Sequence, residues 1–288
     1  MSSWDSTDWL QYDCVRIFTA SEHFFPFTLF SDINITNKMF SKNELYYNSE
    51  IPWNIGLEEF IKGKKKDFIV SKDTPKTEFA NFIYSNKNAK KRNVFLDKMF
   101  KRFGNKVHSW GRYRNNIKTL QTPDGEIKFD SDTSTMMRPY KFTLAFENSS
   151  RYDSFSEKVT NALRARSVPI YWGGDAIYDF VKKEAFINAK DFNSLDDLVD
   201  YIEIVNKDDA LYNTYILDNP FQNSDFVKSH FIENFSLELE RELESRLLCK
   251  KTILKNIMVE KVIFKISHKI YRKFWRLVML KRRYIGGC

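Results

Sequence analysis

Cysteine is scarce in this chain of 288 residues: Cys14, Cys249 and Cys288 are odd in number and far apart. They offer neither a disulfide framework nor the close spacing of a metal site, so reduced thiols are expected. The opening residues, MSSWDSTDWLQYD, hold no basic segment followed by an apolar one. A signal peptide or amino-terminal anchor is therefore not expected, and the sequence reads as a protein made and kept in the cytoplasm. Acidic residues are nearly missing from one region. Between Lys250 and Arg283 there are 12 Lys and Arg residues against a single acid, Glu260. With +8 for the whole chain and +11 for this tail, the remainder carries −3. The charges in the tail exclude a bilayer-spanning helix.

Hydrophobic residues make up 42% of the chain, enough to bury one or two ordinary cores. The 26 Phe and 14 Tyr suit packed sheets, and equally suit sites that hold sugars or bases by stacking. Ile253, Leu254, Ile257, Met258, Phe264, Phe274, Trp275 and Leu277 fall between the basic residues of the tail at largely helical spacing. That pattern describes an amphipathic helix lying in an anionic membrane interface. The alternatives are a helix packed on its own protein and an RNA-binding arm. Nucleic-acid binding is not expected, because it usually spreads basic residues through a folded module.

From about residue 78, strand-like and helix-like stretches alternate. EFANFIYSN, KVHSW, YKFTLAFEN, VPIYWGG and AFINA read as strands, YKFTLAFEN as the central one. AKKRNVFLDKMFKRFG, closed by Gly104, SEKVTNALRARS, with Ser156 at its N-cap, AIYDFV and SLDDLVDYIEIVNK read as helices. Alternation of this kind predicts a parallel α/β sheet with right-handed crossovers, a Rossmann-like half. Such sheets bind ligands beyond the carboxyl ends of their strands, at helix N-termini that favour anions. Asn148, Glu157 and Lys158 fall there. Nearer the amino end, CVRIFTA and SDINIT read as strands, with Glu22, His23 and Pro26 in the loop between them. That part looks too short for a complete Rossmann domain.

The stretch YKFTLAFENSSRYDSFSEKVTNALRARSVPIYWGG closely resembles the donor-binding motif of the α-1,3/4-fucosyltransferases, the family 10 glycosyltransferases, in their bacterial form. FANFIYSNKNAKKRNVFLDKM, GRYRNNI, AFINAKDF and, more loosely, YDCVRIFTASEH resemble further family segments, over about residues 12 to 235. The resemblance implies a GT-B fold: two Rossmann-like halves, with GDP-fucose held by the carboxyl half. It divides the chain into 1–75, a shortened acceptor-side half, 76–246, the donor half, and 247–288, the membrane-associating tail.

The activity implied is inverting transfer of fucose to a glycan hydroxyl, of lipopolysaccharide or O-antigen type, at the inner face of the cytoplasmic membrane. Lys158 matches the family lysine that contacts the donor diphosphate, and Arg92 an arginine with a similar task. Glu157 matches the glutamate of the donor sugar or ribose, with a part in catalysis through an oxocarbenium-like centre. Asn148 matches a donor-bonding asparagine. Glu22 stands where the family has its general base, with His23 beside it as a second candidate. The family tyrosine is replaced by Ser154, a loss for which Tyr152 compensates. No cofactor is required on this reading, and a divalent metal is at most stimulatory. Two other readings stay open. One is a non-catalytic or truncated remnant that binds nucleotide sugar. The other is a metal-dependent GT-A enzyme using the Asp-x-Asp pair Asp130 and Asp132.

Overall fold

The computed structural model describes residues 17–20, 33–36, 44–46, 69–128, 132–148 and 155–222, and six helical residues between 237 and 244. The fold follows from its most buried strand. β8, Tyr140–Phe146, is apolar along nearly its whole length, and every residue except Lys141 is buried. A strand without a polar face must be covered on both sides, which places it in the middle of a parallel sheet.

That sheet runs β5, β4, β8, β9, β10, every pair parallel. Its strands are β4 (Glu78–Phe82), β5 (Val107–Ser109), β8, β9 (Val168–Trp172) and β10 (Ile187–Asn188). In chain order the strands stand second, first, third, fourth, fifth. The winding therefore reverses between β4 and β8, and the crevice beyond their carboxyl ends is where doubly wound sheets take ligands.

Helices cover both faces. On one side Phe95, Leu96 and Met99 of α1 (Lys90–Phe103), with Leu198, Val199, Ile202 and Val205 of α5 (Leu195–Lys207), pack on Phe142, Leu144 and Phe146. The rings of Phe95 and Phe146 stack at 4.5 Å. On the other side Val159 and Leu163 of α3 (Glu157–Arg164), with Ile177 and Phe180 of α4 (Ile177–Phe180), meet Ala145 and Tyr171. Each such buried side chain contributes roughly 1.5–3 kcal/mol relative to its exposure. The helix ends are specified locally: Gly104 closes α1 at φ 57°, and Ser194 and Asp197 form a reciprocal capping box at the start of α5.

Nearer the amino end, β1 (Ile17–Ala20), β2 (Ile33–Thr36) and β3 (Glu44–Tyr46) form a second, three-stranded parallel sheet. The first two are the strands expected from CVRIFTA and SDINIT. Between β5 and β8 the structure adds an antiparallel hairpin, β6 (Thr119–Thr122) and β7 (Gly125–Lys128), and a short helix α2 (Thr133–Met137). None of these was expected. AFINA supplies only two strand residues, because 3-10 turns at Lys183–Ala185 and Ala189–Asp191 curtail it. Helix α6 (Asp209–Thr214) follows α5.

One close backbone approach shapes the crevice. Beyond β4, the Trp110 amide donates to the Phe82 carbonyl at 2.8 Å and the Tyr113 amide to the Tyr84 carbonyl at 3.0 Å. A Cβ on Gly111, which lies between them, would fall 2.0 Å from the Tyr84 carbonyl oxygen. Gly111→Ala must therefore push the two segments apart, at an expected cost of about 3 kcal/mol. Urea unfolding measures it, and a variant as stable as the parent would contradict this packing.

Candidate active site

Successive residues of a strand point to opposite faces, and this sorts the side chains at the end of β8. Phe146 joins the α1 and α5 face. Glu147, whose amide continues the ladder to the Trp172 carbonyl at 2.8 Å, reaches the start of α3. Asn148 turns back to α1. One strand end thus serves two helix N-termini, both sources of positive potential.

At the first of these, α1 begins Lys90, Lys91, Arg92, with no acid in its first turn. Cations at a helix start oppose the macrodipole, an arrangement that favours an anion and not the isolated helix. Arg92 is 1% exposed, so it is not the helix-surface residue its sequence position suggests. Its guanidinium lies 4.0 Å from the Tyr84 ring centroid, donates from Nη1 to Asn148 Oδ1 at 2.6 Å, and from Nη2 to the Asn86 carbonyl. Its Nε is buried without a hydrogen-bond partner among the described residues. Burial holds the Arg92 pKa below the usual arginine value, against the opposing pull of Tyr84 and Glu147. A buried, incompletely bonded guanidinium costs stability.

At the second, Lys158 is the second residue of α3. Its Nζ contacts Glu147 Oε2 at 3.1 Å, Ser156 Oγ at 2.7 Å and, as a longer ion pair, Glu157 Oε1 at 3.6 Å. Burial works against its charge, but Glu147 and Glu157 outweigh burial and raise its pKa above the usual lysine range. Lys158 is thus a fixed cation. Glu157 itself is mostly exposed at the mouth of the site.

Tyr84 and Glu147 join the two halves. Tyr84, just beyond β4, is buried, donates to the Leu144 carbonyl and feels both cations, while burial raises its pKa. Glu147, 4% exposed, acts electrostatically on Arg92 and on Lys158. The expected residues Arg92, Asn148, Glu157 and Lys158 are therefore brought to one place, the switch point between β4 and β8. Glu22, His23, Tyr152 and Asp130 lie outside the described residues.

Two further residues of the sequence reading sit at helix starts. Ser156 occupies the N-cap position of α3, but its side chain makes no capping bond and donates to Glu147 Oε1 at 2.6 Å. Asp132 is the N-cap of α2, its carboxylate accepting from the Thr135 amide and the Ser134 hydroxyl. Among the described residues no three His, Cys, Asp or Glu side chains gather into a metal-binding group. Tyr84, Glu147 and Ser156 were missed as site residues. The signal for Glu147 was present: an acid closing an otherwise apolar buried strand needs a partner.

A guanidinium, an ammonium and two helix N-termini around one crevice suit a ligand with two adjacent phosphates. A family model described as glycosyltransferase family 10 (fucosyltransferase) C-term matches residues 73–251. An α-(1,3)-fucosyltransferase of Helicobacter pylori is 30% identical over 166 residues, 58% of this chain and 32% of that protein. An α-(1,4)-fucosyltransferase of Arabidopsis thaliana is 31% identical over 119 residues, 38% of this chain and 30% of that one. The chain thus spans about a third of the length of these curated relatives. A solved α1,3-fucosyltransferase with GDP-fucose superposes with a TM-score of 0.59 at 21% identity, over 81% of this chain and 76% of that one. This likeness bears out the expected GT-B architecture.

The capping role of Asp132 is directly testable. Burial pulls its pKa up, but the bonds from Ser134 and Thr135 outweigh that and leave it below the ordinary aspartate value. Its contribution is therefore present above the unfolded pKa and lost as pH falls through the folded one. Asp132→Ala should cost about 1 kcal/mol at neutral pH and progressively less below pH ~4. Denaturant midpoints across that range measure it. Unchanged stability at pH 7 would remove the cap.

Proposed function

The chain belongs to glycosyltransferase family 10, the fucosyltransferases, and on that premise we propose that it transfers fucose from GDP-fucose to a hydroxyl of a glycan acceptor with inversion. The observation that carries this reading is the convergence of Arg92 and Lys158 on Tyr84 and Glu147 beyond the end of β8.

The acceptor oxygen forms a bond to the anomeric carbon of fucose as the bond from that carbon to the β-phosphate oxygen breaks. The acceptor proton goes to a general base, for which Glu22 is the candidate, and the electron pair leaves with GDP. Negative charge on the departing diphosphate grows as the bond stretches. On this reading the Arg92 guanidinium and the Lys158 ammonium, the latter held charged by Glu147 and Glu157, meet that growing charge and stabilise the transition state more than the ground state. Glu157 meets the donor sugar or ribose on this reading, which its exposure beside Lys158 supports. Asn148, bonded to Arg92, is the proposed hydrogen-bond partner of the donor. Charge stabilisation here comes from side chains, so no metal is required on this reading.

The acceptor proposed is a lipopolysaccharide-type glycan at the inner face of the cytoplasmic membrane, reached through the basic amphipathic segment 250–283. Its alternation of cations and aromatic or aliphatic residues supports that placement. Among the described residues no helix is long and apolar enough to cross a membrane. Flotation with anionic liposomes tests the segment: the full chain should float, and a chain ending at Leu248 should not.

Lys158→Ala should slow transfer from GDP-fucose by about 100-fold, roughly 3 kcal/mol in the barrier. Transfer should persist in EDTA. Initial rates with a labelled donor read both quantities. An unimpaired Lys158→Ala enzyme, or reversible loss of all turnover on chelation, would contradict the proposed site. Binding of GDP-fucose without transfer to any acceptor would favour a donor-binding remnant.

A further inference from the structure

The geometry points to Glu147 as a positioning residue that aims the Lys158 ammonium at the donor diphosphate, an inference that rests on the donor-site reading above. Lysine carries its charge on a flexible four-carbon stem, and an exposed ammonium samples many positions. Here it is built into a closed ring. Glu147 Oε2 accepts from Lys158 Nζ at 3.1 Å, Lys158 Nζ donates to Ser156 Oγ at 2.7 Å, and Ser156 Oγ donates to Glu147 Oε1 at 2.6 Å. The Ser156 amide adds a second bond to Oε1 at 2.8 Å.

An ammonium has three N–H donors. Two are committed to this ring, and Glu157 at 3.6 Å is beyond hydrogen-bond length. The third is left for a phosphate oxygen, in a direction fixed by the other two. One side of the Glu147 side chain is close-packed. A Cβ at Gly173 would lie 2.8 Å from Glu147 Cγ and 2.2 Å from the Tyr171 hydroxyl oxygen, so the wall behind Glu147 is closed by backbone. That hydroxyl is itself tied to the Gly174 carbonyl at 2.9 Å.

A purely structural role for the ring is disfavoured by what Ser156 forgoes. It stands at the N-cap of α3 with extended backbone, yet its hydroxyl caps nothing in the helix and joins Glu147 and Lys158 instead. Serine at this position ordinarily satisfies an amide of the first turn. That local bond has been exchanged for the orientation of one cation. Glutamine at position 147 keeps the shape but sets an NH₂ group against either Ser156 or Lys158, so the ring cannot close.

A double-mutant cycle separates positioning from structural support. The probes are inorganic pyrophosphate and GDP, with affinities read by phosphorus-31 NMR titration, which reaches millimolar constants. Glu147→Gln should weaken both ligands by tenfold or more when Lys158 is present, and by no more than twofold in a Lys158→Ala background. Equal weakening in both backgrounds, or none in the parent, overturns the inference. If Glu147→Gln does not fold, Ser156→Ala takes its place, with a loss of several-fold expected only when Lys158 is present. An equal loss in both backgrounds again overturns the proposal. A parent chain that binds neither probe would instead refute the donor-site reading, whereas binding that is lost in Lys158→Ala but intact in Glu147→Gln refutes the role of Glu147 alone.

Discussion

The ion pair between Glu147 and Lys158 ties the end of the most buried strand to the first turn of the helix that follows it, and the candidate site is built outward from that bond. Both partners are largely removed from water. A pair in that position adds little net stability, because desolvation consumes most of the Coulombic gain, yet breaking it leaves an uncompensated buried charge. Arg92 repeats the pattern, buried against Tyr84 with one donor unpartnered among the described residues. The region is therefore held in place by its surroundings: Phe95 stacked on Phe146 beneath one side, Val159 and Leu163 packed beneath the other.

From that constraint the function reads as a consequence of winding. The strand order reverses between β4 and β8, so the loops after these two strands diverge and leave a crevice. Tyr84 follows β4, Arg92 opens α1, Glu147 and Asn148 follow β8, and Lys158 opens α3. Four chain segments converge at one point. Because side chains alternate along a strand, adjacent residues 147 and 148 serve the two helices separately. A diphosphate fits this arrangement better than a single phosphate, since the cations approach from opposite faces of one sheet.

Much of this was legible in the sequence, and the losses have physical causes. Long elements with clear period were read correctly: YKFTLAF as a central strand, KKRNVFLDKMFKRF as a helix ended by Gly104, and LDDLVDYIEIVNK as a helix. The β6–β7 hairpin escaped because TLQT and GEIK carry few apolar residues and only Ile127 of the hairpin is buried. Asp132 caps α2, a place that the Asp-x-Asp spacing did not signal, because an N-cap aspartate and a ligand aspartate share the same Ser/Thr-rich surroundings. Ser156 stands at the expected N-cap position, but the partner of its hydroxyl is nine residues earlier in the chain and only the fold brings it near. For Glu147 an acid closing an apolar buried strand signals that a partner exists, but which partner is a tertiary contact that residue spacing does not encode. Asn148, Glu157 and Lys158 were placed at the ligand end of the sheet by the alternation of elements, and family resemblance added Arg92 and the individual roles; their meeting around Tyr84 became visible only with the strand order.

The central claim is that Arg92 and Lys158 take up the two phosphates of one nucleotide. A crystal structure of the chain with GDP tests it most directly. The account requires diphosphate oxygens within hydrogen-bond distance of both the Arg92 guanidinium and Lys158 Nζ, with the Glu147 to Lys158 pair intact. A diphosphate bound elsewhere on the sheet, or held by only one of these cations with the other turned away, would contradict it.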